Sequence, residues 1–113
     1  MKVFSTLFII LNIICFSNYS SVLAASIEEG EKIFTANCAA CHAGGNNLIM
    51  PDKTLKIEAL DAYGMSNIEA ITTQVTNGKN AMPSFKGRLN NEDIDNVANY
   101  VLSQSKAGWL DED

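Results

Sequence analysis

The residues of this chain with the most specific chemistry are Cys38, Cys41 and His42, which form the pattern Cys-x-x-Cys-His. Each thiol can add across one vinyl group of a haem, and a spacing of two residues lets one short turn reach both vinyls. The imidazole comes next in the chain, where it can bind the iron as the proximal ligand. The pattern therefore predicts covalent attachment of a c-type haem.

A Cys-x-x-Cys pair also occurs in zinc sites and in redox-active dithiols. A structural zinc site needs about four Cys or His ligands, and beyond residue 24 this chain offers only Cys38, Cys41 and His42. A thioredoxin-type dithiol needs a βαβ setting, and the sequence shows no such unit. Both alternatives stay open at this point, but covalent haem accounts for all three residues.

The second axial ligand of such a haem must come from elsewhere in the chain. His42 is the only histidine, so a bis-histidine haem within one chain is excluded. A methionine thioether is the soft alternative and raises the reduction potential. Met50 lies only eight residues from His42, and Met65 lies between two helical segments. We favour Met82, which lies in an irregular stretch stiffened by Pro83, with core packing as the alternative role of each methionine.

The first 24 residues are typical of a secretory signal peptide. Lys2 is a minimal positive region, residues 3–16 are mostly apolar, and Val22-Leu23-Ala24 fits a cleavage site. An uncleaved membrane anchor is the alternative, but an apolar run of 14 residues is short of the roughly 18 that a spanning helix needs. We predict a cleaved signal over residues 1–24 and one mature domain over residues 25–113.

The predicted mature domain is small and acidic. A single core of 89 residues is marginal without a metal, a disulfide or a cofactor. Cys15 lies in the signal, so no cysteines are left over for a disulfide framework. Without Lys2 the domain has seven basic and thirteen acidic residues, a net charge of −6. This charge argues against nucleic acid or anionic lipid as a partner and favours docking onto a basic patch of another protein.

Hydrophobic periodicity predicts an all-α domain of about four short helices, with no confident strand. The predicted helices cover residues 26–37, 54–62, 66–77 and about 91–107. Capping boxes at Ser26 and Ser66 begin the first and third helices, and Gly78 and Gly108 follow the third and fourth. The β-branched residues 71–76 leave a strand as the local alternative for the third helix.

Three further segments are distinctive: MPDKTL at residues 50–55, NGKNAMP at 77–83 and ANYV at 98–101. Together with NCAACHAGG at residues 37–45, they resemble class I c-type cytochromes and, more closely, the cytochrome c6 family of algae and cyanobacteria. The haem pattern alone indicates only a c-type cytochrome, and the other segments make the resemblance specific. The resemblance covers the predicted mature domain and implies a small class I cytochrome c fold wrapped around one covalent haem.

The resemblance also implies roles for individual residues. Cys38 and Cys41 would carry the haem, and His42 and Met82 would be the axial ligands of its iron. In the family, a glutamine matching Gln74 lies near the haem and tunes its reduction potential.

Two further implications concern the helix crossing and the surface. Gly30 on the first helix would allow a close crossing with the last helix near Tyr100. An arginine matching Arg88 is implicated in docking, with an ordinary surface charge as the alternative. Family members often have glycine where this chain has Lys86, which adds a charge beside Arg88.

The function that these inferences favour is that of a monomeric one-electron carrier, not an enzyme. By resemblance, the donor is the cytochrome bf complex and the acceptor is photosystem I, in the thylakoid lumen of a plastid or a cyanobacterium. One alternative keeps the carrier chemistry but places it in a periplasm, serving a respiratory oxidase or a reductase. Another is a haem enzyme or gas-binding protein with an open sixth position and Met82 merely packed.

Overall fold

The computed structural model describes residues 26–110, and this part of the chain is built from helices. Residues 26–37 form α1. The later helices are α2 (Ala39–His42), which continues into a 3-10 turn (Ala43–Gly45), then α3 (Ile57–Ala62), α4 (Ile68–Asn77) and α5 (Asn91–Ala107). Strand-like pairing within the described range is limited to two isolated bridges, Lys79 with Met82 and Lys86 with Leu89. The predicted all-α class is confirmed.

Helices α1 and α5 cross at a glycine. Gly30 is buried, and a Cβ atom there would lie 2.1 Å from the backbone oxygen of Asn96 and 2.7 Å from the Cβ of Tyr100. One helix turn further along, the rings of Phe34 and Tyr100 pack with their centroids 5.3 Å apart. The crossing implied by the resemblance is therefore present, and it fixes the end of α1 from which the cysteine pair follows.

Helix α5 is the longest described element and has well-defined ends. The side chain of Asn90 accepts a hydrogen bond from the Asp93 N–H, and the Asp93 carboxylate accepts one from the Asn90 N–H. This reciprocal capping box satisfies two backbone donors that have no partner within the helix. Gly108 ends α5 in the left-handed conformation. Both ends match the prediction, and α4 packs against this helix.

Two predicted helix starts are wrong by a few residues. Helix α3 begins at Ile57 rather than Thr54, because the Thr54 hydroxyl accepts the Lys56 N–H in a turn that precedes the helix. Helix α4 is capped by Asn67 rather than Ser66, since the Asn67 side chain accepts the Ala70 N–H at 2.8 Å. Asparagine and serine are both good N-caps, so the sequence alone could not show which of these two adjacent residues caps α4.

The strand alternative for residues 71–76 is also wrong. These residues lie inside α4, where Ile71 and Val75 face the core. The hydroxyl groups of Thr72 and Thr76 donate to the carbonyls of Glu69 and Thr72, respectively. These bonds satisfy the polar side chains within the helix, and burial of the apolar face outweighs the β preference of the branched residues.

A single hydrophobic core joins α1, α4 and α5. Phe34, Val97 and Tyr100 lie at its centre, each no more than 2% exposed. Trp109, just beyond α5, closes one side of this core. None of the helices in the described residues has the length and apolarity that a membrane span requires. The predicted signal peptide, residues 1–24, and the acidic residues 111–113 lie outside the described range.

Candidate haem-binding site

The cysteine pair lies where α1 gives way to α2. The Cys38 N–H still donates to the carbonyl of Phe34 at 2.8 Å, and the His42 N–H donates to the carbonyl of Cys38 at 3.0 Å. Residues three apart on one helical turn face the same side. Cys38, Cys41 and His42 all line the same cavity.

That cavity has a volume of about 320 Å³ and passes between α1, α4, α5 and the loops that join them. Most of its lining is apolar. The aromatic and branched side chains that line it are Phe34, Leu55, Leu60, Ile71, Val75, Phe85, Val97 and Val101. Charged lining residues are few, among them Lys53 and Lys79. An apolar slot with a few convergent polar groups is the environment that a flat hydrophobic cofactor needs.

The cysteines differ in burial. Cys38 is partly buried and Cys41 is exposed, and neither forms a disulfide. Burial raises the pKa of the Cys38 thiol to about 11, so this sulfur is protonated at neutral pH while it is a thiol. A thioether sulfur carries no proton, which means that attachment to a vinyl group would end this titration.

The imidazole of His42 is held by a backbone carbonyl. Its Nδ1 lies 2.9 Å from the carbonyl oxygen of Asn46. Because a carbonyl can only accept, Nδ1 must be the protonated nitrogen, and Nε2 keeps its lone pair for a metal. Metal-binding histidines typically have this arrangement, since the second hydrogen bond fixes both the tautomer and the ring orientation.

Met82 lies in a tight loop that follows α4. The Lys79 N–H donates to the Met82 carbonyl at 3.0 Å, and the Met82 N–H donates back to the Lys79 carbonyl at 2.9 Å. Asn80, between them, takes a positive φ of 53°, which asparagine tolerates better than most residues. Gly78 permits the close return of this loop, because a Cβ atom there would lie 2.7 Å from the Met82 oxygen.

A second set of bonds fixes this loop to the end of α4. The Ser84 hydroxyl donates to the carbonyl of Thr76 at 2.6 Å. The Phe85 N–H donates to the carbonyl of Val75 at 3.0 Å. The Met82 side chain is therefore presented to the cavity by a backbone held on both sides.

Gln74 contacts the Met82 sulfur directly. Its Nε2 lies 3.6 Å from Sδ, within donor distance of a thioether. Met50 and Met65 line the cavity as well, so lining alone does not distinguish the three methionines. The contact with Gln74 is the feature that singles out Met82, because it orients one lone pair of this sulfur and leaves the other available.

The predicted docking residue lies outside the cavity. Arg88 and Lys86 are both exposed. The Arg88 guanidinium lies over the Phe85 ring, 5.6 Å from its centroid, and Phe85 lines the cavity. The charge of Arg88 is thus held at the surface next to a wall of the site.

Sequence reasoning missed two residues that shape the site. Asn46 binds His42 through its backbone carbonyl, a role that carries no side-chain signature. Trp109 is 6% exposed, and its indole N–H donates to the carbonyl of Leu55 at 3.1 Å. The position of Trp109 directly after Gly108 is the available signal, since the residue after a helix-ending glycine often packs back onto the helix.

A family model described as cytochrome c oxidase, cbb3-type, subunit III, matches residues 25–101. Cytochrome c6 from Bumilleriopsis filiformis is 73% identical over 85 residues, which make up 75% of this chain and 99% of that protein. Cytochrome c6 from Porphyra purpurea is 65% identical over 96 residues, 84% of this chain and 87% of that protein.

A solved structure gives the same result in three dimensions. Cytochrome c6 from the diatom Phaeodactylum tricornutum superposes with a TM-score of 0.72 at 61% identity. The match covers 74% of this chain and 98% of that one. The fold of this chain is therefore similar to that of an experimentally determined protein over almost its whole length.

Proposed function

The chain belongs to the cytochrome c6 family, and on that premise we propose which residues hold the haem and which proteins exchange electrons with it. Family membership makes this protein a c-type cytochrome that carries electrons, not an enzyme, with one covalently bound haem. The residue assignments, the electron partners and the location given below are our proposals.

We propose that Cys38 and Cys41 carry the haem. Each thiol adds across one vinyl group, so that a C–S bond forms and the thiol proton goes to the neighbouring vinyl carbon. The two residues line the cavity together, and the intervening helical turn holds them on one side of it. No oxidant is consumed, because the sulfur and the hydrogen of the broken S–H bond both add to the vinyl double bond.

His42 and Met82 are the axial ligands in this proposal. The haem supplies a one-electron ferric/ferrous couple when bound. His42 offers Nε2 while Asn46 holds Nδ1, and Met82 offers Sδ from a fixed loop. The observation that carries the proposal is that both cysteines, the oriented imidazole and the Met82 sulfur line one apolar cavity. Two held ligands exclude substrates from the iron and keep structural rearrangement small during electron transfer.

Replacement of Met82 tests this coordination. In the oxidised wild-type protein we expect the near-infrared charge-transfer band of a methionine–iron bond, and no tight carbon monoxide binding after reduction. Met82→Ala should abolish the band and allow carbon monoxide to bind. Met65→Leu, which alters another methionine of the same cavity, should change neither property. Loss of the band in Met65→Leu, or its persistence in Met82→Ala, would contradict the assignment of Met82 as the axial ligand.

The proposed circuit runs from the cytochrome bf complex to photosystem I in the thylakoid lumen. The family resemblance and the acidic charge support it, because an acidic carrier with an exposed Arg88 beside a cavity wall suits brief docking onto charged surfaces. Delivery to a respiratory oxidase in a periplasm is the second candidate, since the matching family model is described as an oxidase subunit.

Flash kinetics separate the two circuits. The reduced protein should re-reduce isolated photosystem I after a flash, with a rate that depends on ionic strength. Faster turnover with an isolated respiratory oxidase than with photosystem I would favour the second candidate.

We also propose that residues 1–24 are a signal removed on export, leaving residues 25–113. Mass spectrometry of the protein purified from its source would report the cleavage position and the added haem mass together. A mass that includes residues 1–24 would contradict the proposed cleavage.

A further inference from the structure

Trp109 is held in an unusual backbone position at the end of α5. Its φ is +57°, a region that residues with side chains seldom adopt. Two hydrogen bonds hold it there, from the Trp109 N–H to the carbonyl of Gln104 at 3.0 Å and from the Gly108 N–H to the carbonyl of Ser105 at 3.3 Å. This Schellman-type ending turns the indole back toward the core instead of letting it follow the helix axis.

The indole contacts the loop between α2 and α3 in two places. Its N–H donates to the carbonyl of Leu55 at 3.1 Å. Its ring lies against Gly45 so closely that a Cβ atom at Gly45 would come within 2.5 Å of the ring atoms Cδ1 and Nε1. Trp109 therefore touches both ends of the loop that spans residues 45–55.

Those two ends are also joined to each other. The Leu55 N–H donates to the carbonyl of Gly45 at 2.8 Å, so the Leu55 backbone is fixed on one side by Gly45 and on the other by Trp109. Asn46 follows Gly45 directly, and its carbonyl accepts Nδ1 of His42 at 2.9 Å. A short path of hydrogen bonds and one ring contact thus connects the indole to the imidazole.

We propose that Trp109 is a positioning residue for the haem-binding histidine: it fixes Gly45 and Leu55, and thereby the Asn46 carbonyl that orients the His42 ring. The inference rests on the proposed role of His42 as an iron ligand. Without the indole N–H, the Leu55 carbonyl loses its partner, and the base of the loop can open. The Asn46 carbonyl then moves with it, and the Nδ1–H of His42 becomes accessible to water.

The sequence allows this to be measured directly, because the chain has one histidine and one tryptophan. The experiment uses the reduced holoprotein, labelled with 15N-histidine, and follows exchange of the Nδ1–H with solvent by NMR. Trp109→Phe keeps an aromatic ring but removes the indole donor. We expect exchange of the His42 Nδ1–H to accelerate on the order of fivefold or more, the equivalent of one lost hydrogen bond.

A matched control separates positioning from general destabilisation. Ile94→Val trims a core side chain that is 4% exposed and does not line the cavity. It should lower the stability of the fold while leaving Nδ1–H exchange unchanged. Equal acceleration in both variants, or none in Trp109→Phe, would overturn the proposed positioning role.

The same spectra distinguish failure of this inference from failure of the proposed function. The 15N shift of Nε2 reports whether His42 binds the iron. An iron-bound Nε2 with unchanged exchange in Trp109→Phe would refute the positioning role alone, whereas an unbound Nε2 in the wild-type protein would refute the ligand assignment.

A measurement on the unaltered protein covers the case in which Trp109→Phe does not fold. Hydrogen exchange of the Trp109 indole N–H, the Leu55 amide and the His42 Nδ1–H is followed at several low denaturant concentrations. If these groups belong to one structural unit, their protection should fall together. Early loss of protection at the indole with full protection at His42 would contradict the proposal.

Discussion

At Gln74, one amide group lies beside the proposed ligand sulfur. In the proposed ligation, the N–H at 3.6 Å from Met82 Sδ would withdraw electron density from the thioether and place a partial positive charge near the iron. Both effects disfavour the ferric state, which carries one more positive charge than the ferrous state. With Met82 bound to the iron as proposed, the amide should therefore raise the reduction potential, which is the tuning role that the resemblance implies for Gln74.

Removal of this amide should lower the potential. Gln74→Leu keeps a similar shape without the donor, and we expect a decrease of roughly 40 mV, the electrical equivalent of about 1 kcal/mol for one electron. Equilibrium redox titration measures the change. Thr73→Val, an exposed neighbour on the same helix, should leave the potential where it is. An unchanged or higher potential in Gln74→Leu would remove Gln74 from the tuning of this site.

The candidate haem-binding residues could be predicted from the sequence, but their arrangement in space could not. Cys38, Cys41 and His42 are adjacent in the chain, so one helical turn is enough to bring them together. Met82 required an argument from loop stiffness, because three methionines reach the same cavity. The partner of His42 is a backbone carbonyl that every residue possesses, and only the conformation of the loop shows that Asn46 provides it.

Among the elements, the crossing of α1 and α5 depends on the absence of one side chain. In an isolated helix, alanine is more favourable than glycine by about 1 kcal/mol. At Gly30 the opposite should hold, since an added Cβ would lie 2.1 Å from the backbone oxygen of Asn96. Backbone atoms cannot move aside as a flexible side chain can, so the two helices would have to separate.

We therefore expect Gly30→Ala to destabilise the holoprotein by about 1–3 kcal/mol, the usual cost of overpacking. Guanidinium denaturation measures the free energy of unfolding. Thr35→Ala introduces the same residue at an exposed position of α1 and should stabilise slightly through helix propensity. If helix propensity controlled both positions, both variants would be stabilised, so the opposite signs are the expected result.

Helix limits were predictable where a cap and a glycine bracket an apolar stripe, as at Asn90 and Gly108 of α5. They were less predictable where two good caps stand side by side, as at Ser66 and Asn67. The packing of Trp109 was missed for a different reason. Its hydrogen bond joins residues 54 positions apart, and neither local periodicity nor propensity contains information about a contact of that range.

On the scale of the whole molecule, charge is distributed unevenly. The chain has a net charge of −5. Three basic residues nevertheless lie close together in sequence: Lys79 in the loop that holds Met82, and Lys86 and Arg88 just after that loop. The guanidinium of Arg88 rests on the Phe85 ring, which limits its motion and keeps its charge near the cavity. An otherwise acidic protein therefore presents positive charge beside its redox site.

Under the proposed circuit, Arg88→Gln should slow association with photosystem I without altering the reduction potential. We expect a decrease in the second-order rate of about threefold at low ionic strength, within the range of one exposed ion pair, and a smaller decrease at high salt. Flash kinetics across a salt series provide the measurement. Lys106→Gln removes the same charge from an exposed position in the last turn of α5. An equal effect there would mean that net charge, not position, sets the rate.

The burial of Trp109 has an optical consequence. Indole emission overlaps the absorption of a haem, and the chain has a single tryptophan. Its ring packs against that of Phe34, which lines the cavity. With the haem attached inside so small a domain, energy transfer should leave the native protein nearly dark. Fluorescence should then rise as the C-terminal segment separates from the core, which gives assembly and unfolding of this cytochrome an intrinsic, label-free signal.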